Sequence, residues 1–191
     1  MKEYLEASEY IDWQAHEIIA LASKLAENKK TDTDIAKSCF EWVRDEIKHS
    51  WDYKMNPVTY KASDVLKEGT GYCYAKSHLL AALLRANNIP AGLCYQRLSI
   101  NDDGAPYSLH GLNAVYLKDF GWYKIDARGN KDSVDAQFTP PHEQLAFPIN
   151  DENEIDFPEI LAKPVAVVVD ALIKYNTIKE VFDHLPDAEK I

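Results

Sequence analysis

The spacing of apolar residues changes once along this chain, at Asn87-Asn88-Ile89-Pro90. Before that point apolar side chains recur at helical intervals; after it they fall into short, alternating runs. Helices first and adjacent strands second define an α+β chain, because strands joined by short turns pair antiparallel.

Ile11, Ala15, Ile18, Ile19, Ala22 and Leu25 predict a helix over 11–28. A second starts near Thr33, with Ile35, Cys39, Phe40, Val43 and Ile47 as its inner stripe and Asp and Thr available as caps. HSWDYKMNPVTY is aromatic and irregular, and Pro57 stops any helix there. ASDVLKEG, from Ala62, predicts a short helical turn closed by Gly69. The third helix is expected over 72–86. Strands follow at 93–100, 110–117 and 122–126, separated by the turns NDDGAP and KDFG. Residues 127–164 are rich in Pro, Asn and Asp and carry no period. PVAVVV reads as a strand or a helix start, and a terminal helical segment breaks near Asn176.

Charge and cysteine usage exclude several function classes. With 31 acidic against 21 basic residues the formal charge is −10, which disfavours non-specific nucleic-acid binding. The three cysteines, Cys39, Cys73 and Cys94, form neither an even disulfide framework nor a CxxC metal pair. No metal and no cofactor is expected. The N-terminus lacks a basic-then-apolar leader, and no run approaches the roughly 18 apolar residues of a membrane span. The expectation is a cytoplasmic protein in a reducing compartment, with no membrane partner.

Cys73 sits where GTGY runs into the third helix. A helix start presents unpaired N–H groups and a partial positive charge, which stabilise a thiolate and can hold a developing oxyanion. Gly69 and Gly71 let the backbone turn sharply and approach a substrate. A nucleophilic thiol needs an imidazole, and the imidazole an orienting carboxylate or amide. His78 follows Cys73 by one and a half turns, about 140° around the helix, and faces away. His16, His49, His142 and His184 lie in helical or irregular contexts without an evident partner. His110 opens one strand and Asp126 closes the next, so both lie at the same end of a hairpin. A loop at 119–121 would pair Lys118 with Trp122 and set Asp126 opposite Ala114, four residues from His110. That separation needs a bulge, strong twist or looser turn to close.

GTGYCYAKS with LLRANNIPA, then HGLNAVYL, then GWYKIDARG occur in the order of the transglutaminase-like superfamily, and the chain resembles it over roughly 35–130. The resemblance implies a papain-like core, with Cys73 as nucleophile, His110 as general base then acid, and Asp126 as orienting carboxylate. It departs from the common pattern at Gly111-Leu112, where many members carry a small residue then Trp, and at Ala127-Arg128, where many carry Pro-Thr. Some relatives use an upstream Trp as a second oxyanion donor, a role Trp51 could fill. Tyr72 and Tyr74 line the acyl cleft or pack around the helix start. Arg128 binds a substrate carboxylate or forms a surface ion pair. Cys39 and Cys94 read as core residues, and DENEID (151–156) as a solvated loop.

The sequence therefore predicts one domain over 1–191, with 131–191 wrapping the core. Its expected chemistry is acyl transfer from a protein or peptide amide through a Cys73 thioester, leaning to hydrolysis. The alternative is a catalytically silent protein- or peptide-binding module on the same scaffold.

Overall fold

The computed structural model describes residues 1–191. A short 3₁₀ turn, Lys2–Leu5, precedes the helices α1 (His16–Ala26) and α2 (Asp32–Glu46). The first is shorter than the apolar stripe suggests. Ile11 is still fully buried, but Asp12 accepts hydrogen bonds from the Ser63 backbone and side chain, so this stretch is tied to the chain beyond α2 instead of coiling. Thr31 caps α2 by accepting from Asp34 N at 3.1 Å.

The irregular aromatic segment holds two small elements, β1 (Lys48–His49) and α3 (Ser50–Tyr53). Next come α4 (Ala62–Glu68), β2 (Thr70–Gly71) and α5 (Cys73–Ala86). Gly69 ends α4 with φ +66°, the left-handed conformation that favours glycine. β1 and β2 pair in parallel, with His49 opposite Gly71. No apolar alternation marks so short a pair, and the sequence reading lacks it.

α5 is the hub of the fold. Every residue from Cys73 to Arg85 is buried, with α1, α2 and α4 on one side and the sheet on the other. Leu79, Leu80, Leu83 and Leu84 are wholly removed from water, each contributing roughly 1.5–3 kcal/mol. Its polar residues are used as ties. Arg85 donates to Glu6 O, Ala91 O and Ala162 O, holding three distant segments together. Lys76 donates to the carbonyls of Ile47 and Arg44, which the end of α2 leaves without helical partners.

The sheet is built from β3 (Ala91–Ser99), β4 (Tyr107–Leu117) and β5 (Gly121–Ile125). The α+β architecture, helices packed on an antiparallel sheet, stands as the sequence implied. Beyond it lie the hairpin of β6 (Gln137–Thr139) and β7 (His142–Gln144), then β8 (Ile155–Asp156), which pairs with β3 and gives the order β5-β4-β3-β8. PVAVVV opens a helix, α6 (Ala166–Lys174), and α7 (Ile178–Asp183) follows after a break at 175–177. Thr177 and Glu180 form a capping box that starts α7 afresh.

The β4–β5 register differs from the sequence expectation. Leu117 pairs with Gly121, and Asn113 with Ile125. Gly121 adopts φ +76° and closes a three-residue loop at 118–120, one position earlier than expected. That single step moves the pairing by two residues and sets Asp126 beyond Ile125, level with Leu112 instead of Ala114.

Candidate active site

Cys73 is the first residue of α5, and Tyr72 caps the helix with extended backbone. The thiol faces β4, where Sγ accepts a hydrogen bond from Gly111 N at 3.4 Å. Gly111 makes this approach possible. A Cβ there would stand 2.9 Å from Tyr74 Cδ1 and 3.1 Å from Tyr74 Cα, so any side chain would push the helix off the strand.

One residue back on β4 is His110. Its Nε2 lies 2.7 Å from Asp126 Oδ2, which leaves Nδ1 for a second partner. Asp126 is held from several sides: Arg128 N donates to Oδ1 at 3.1 Å, and Ala146 N donates to Oδ2 at 3.2 Å. Phe147 covers the imidazole edge-on at 5.0 Å between ring centres. Cys73, His110 and Asp126 are 7 %, 6 % and 1 % exposed; the first two border a cleft, and Asp126 lies behind His110.

Electrostatics favour an imidazolium. Burial opposes charge on His110, but the Asp126 carboxylate, the neighbouring Cys73 and the hydrogen bonds to both outweigh it and raise the pKa to about 10. Burial likewise opposes charge on Asp126, yet His110 and the Arg128 and Ala146 N–H groups pull its pKa below the usual carboxylate value. Cys39 and Cys94 are fully buried, and burial pushes both thiols up to about 12.

The cleft has a volume of about 760 Å³ and runs between β4, the 146–150 segment and α7. Trp51, Tyr72, Tyr74 and Arg128 all line it. Their polar groups are largely committed. Tyr72 OH donates to Ile178 O, and Tyr74 OH to Leu109 O. Trp51 stacks on Phe182 at 3.7 Å, with the Lys54 ammonium 3.2 Å from its ring centre. Arg128 is neither free nor on the surface. It is buried, and its guanidinium pairs with Asp52 at 2.7 and 3.1 Å, while Lys131 joins the same carboxylate at 3.1 Å. Arg128 thus supports the site twice, holding Asp126 through its backbone and Asp52 through its side chain.

Several contributors carried no sequence signal. Ala146 and Phe147 come from the aperiodic stretch after the sheet. His49 and Asp52 lie in the irregular aromatic segment and also line the cleft. His78, five residues after Cys73, is fully buried with Nδ1 against Tyr60 O at 2.8 Å, and burial lowers its pKa to about 4.

The fold that carries these residues has counterparts among solved structures. A candidate cysteine protease from Cytophaga hutchinsonii matches at TM-score 0.52 and 23% identity over 65% of this chain and 40% of its own. The periplasmic domain of TgpA from Pseudomonas aeruginosa matches at TM-score 0.47 and 18% identity over 65% and 45%, respectively. Red sea bream transglutaminase matches at TM-score 0.48 and 10% identity over 66% and 32%. The chain thus spans less than half the length of each of these structures. No curated protein matches it in sequence. The family model of the transglutaminase-like superfamily matches residues 19–127, more than half of the chain. The chain belongs to the transglutaminase-like superfamily.

Proposed function

We propose that the protein is a thiol-dependent acyl-transfer enzyme that acts on amide bonds of a protein or peptide, with water as the preferred acceptor. The observation that carries this reading is the meeting of Cys73 Sγ with β4 at Gly111 beside His110, both bordering one cleft, with Asp126 2.7 Å behind the imidazole.

Each step follows from those positions. The Cys73 thiolate attacks the amide carbonyl carbon, a C–S bond forms, and the carbonyl electron pair moves to oxygen. Free N–H groups at the start of α5 face that charge. His110 delivers its proton to the departing amine as the C–N bond breaks, leaving a thioester. Water then attacks, gives a proton to His110, and releases the acid as the C–S bond breaks. Asp126 keeps the imidazole oriented and stabilises its charge throughout. The lean to water rests on the cleft, which is open to solvent and lined by polar groups such as Ser99, Asn101 and Asp102. Amine transfer requires water to be kept out.

The test is release of ammonia or new termini from glutamine-containing peptides, with and without an added primary amine. Product formation without amine incorporation, lost in Cys73→Ala, is the expected result. Amine incorporation outpacing hydrolysis would move the assignment to transamidation. A Cys73 no more reactive than Cys39, with no turnover, would favour the silent binding module.

A further inference from the structure

The cleft holds a second imidazole that the reaction above does not use. His49 is 7 % exposed, yet its Nδ1 has no hydrogen-bond partner. The nearest charged group, Asp52 Oδ2, stands 3.5 Å away, and both Asp52 oxygens already serve Arg128 and Lys131. A buried polar atom left unpaired forfeits its hydration without recompense, and such atoms call for an explanation.

Its position supplies one. The β1–β2 pairing puts His49 level with Gly71, two residues before the nucleophile. Its ring packs edge-on against Tyr72, 5.6 Å between centres, and both it and Cys73 border the cleft. Around it, the hydroxyls of Tyr72 and Tyr74 and the Lys76 ammonium are taken by protein acceptors, and Arg128 is held in its ion pair with Asp52, Nη1 standing 2.7 Å from Oδ2 without an aligned hydrogen bond. An oxyanion formed at Cys73 calls for a donor besides the α5 N–H groups, and of the two unpaired buried donors bordering the cleft the imidazole is the one whose nearest carboxylate oxygen is 3.5 Å away, against 2.7 Å for Arg128 Nη1.

We infer that His49 is a catalytic residue, donating an imidazole N–H to the oxyanion that forms when Cys73 attacks a carbonyl. The inference rests on the acyl-transfer reading of Cys73. Burial and the nearby Arg128 hold the ring neutral, and a neutral imidazole polarises a carbonyl without trapping the acidic product as a cation would. Trp51, whose ring faces pack on Phe182 and Lys54, is the rival donor bordering the same cleft.

Two reagents separate the contributions. p-Nitrophenyl acetate acylates a thiol through an oxyanion; iodoacetamide alkylates it by displacement, with no charge developing on a carbonyl oxygen. Burst acylation of the intact protein should fall about 100-fold in His49→Phe, the effect of losing one oxyanion donor. It should recover in large part in His49→Gln, which restores an N–H. Site-resolved alkylation of Cys73 should keep its wild-type rate in both variants. A burst of undiminished speed in His49→Phe overturns the inference, as does an equal loss of acylation and alkylation, which would mark a structural role. If His49→Phe does not fold, His49→Gln against His49→Ala makes the same comparison. A burst that persists in Cys73→Ala defeats the acyl-transfer reading itself, and the inference with it.

Discussion

Two imidazoles flank Cys73, both more than nine-tenths buried, and the fold drives them to opposite states. His110 stands 2.7 Å from Asp126, a carboxylate whose only cationic neighbour at hydrogen-bond distance is that ring, and its pKa rises to about 10. His49 stands 3.5 Å from Asp52, whose charge Arg128 and Lys131 already neutralise, and burial takes its pKa well below the ordinary value. Burial is the largest influence on each. What separates them is whether the carboxylate is still available. One ring is set to carry a proton, the other to stay neutral and donate a hydrogen bond.

The sharpest way to break this contrast is His110→Ala. Acylation of Cys73 should fall about 10³-fold, near 4 kcal/mol of barrier, and alkylation at pH 6 should fall with it. Equal effects of His110→Ala and His49→Phe on alkylation would erase the distinction. Asp52→Ala should come next. It strands the buried Arg128 guanidinium, and removing one member of a buried pair costs about 3 kcal/mol, visible in a urea titration. Because Asp52 supports Arg128 and not His110, acylation per folded molecule should suffer less than in Asp126→Ala.

Alkaline pH gives a subtler test. Folded His110 titrates near 10, against about 6.5 when unfolded. Its stabilisation is therefore complete below about 6.5 and is lost as pH rises through 10. Lys76 works in the other direction. Burial, aided by Arg128, lowers it to about 7 from about 10.4 in the unfolded chain, so its penalty fades over the same interval. Urea midpoints at pH 6.5 and 10 should fall less with pH in His110→Gln, and more steeply in Lys76→Met, than in wild type. The smallest effect is expected from Trp51→Phe: stacking on Phe182 persists, and burst acylation should stay close to wild type. A loss as large as that of His49→Phe would hand the donor role back to Trp51.

Much of this site was legible in the sequence because local chemistry announces it. Cys73 after two glycines at a helix start, His110 at the head of an alternating run and Asp126 at the end of the next need no tertiary knowledge to be noticed. What bound His110 to Asp126 was less accessible. The expected loop left them four residues apart, and only the left-handed Gly121, used as the first strand residue, brings them within reach. His49 stayed hidden for a different reason. It sits in a two-residue strand whose partner is also two residues long, and no periodicity survives at that length. Arg128 was misplaced at the surface because its partner, Asp52, lies on the far side of the nucleophile in sequence. Ala146 and Phe147 come from a stretch with no pattern.

The wall formed by α7 also imposes an order of events during synthesis. Phe182 stacks on Trp51, and just beyond α7 Pro186 O accepts from Leu109 N and Asp187 pairs with Arg97; residues 182–187 are made long after Cys73, His110 and Asp126. Chains fold from the N-terminal side as they emerge, so the nucleophile and its partners leave the ribosome before the cleft has its outer wall. A nascent chain therefore presents Cys73 without a finished cleft. The shape of the cleft is completed last, by the residues that close it.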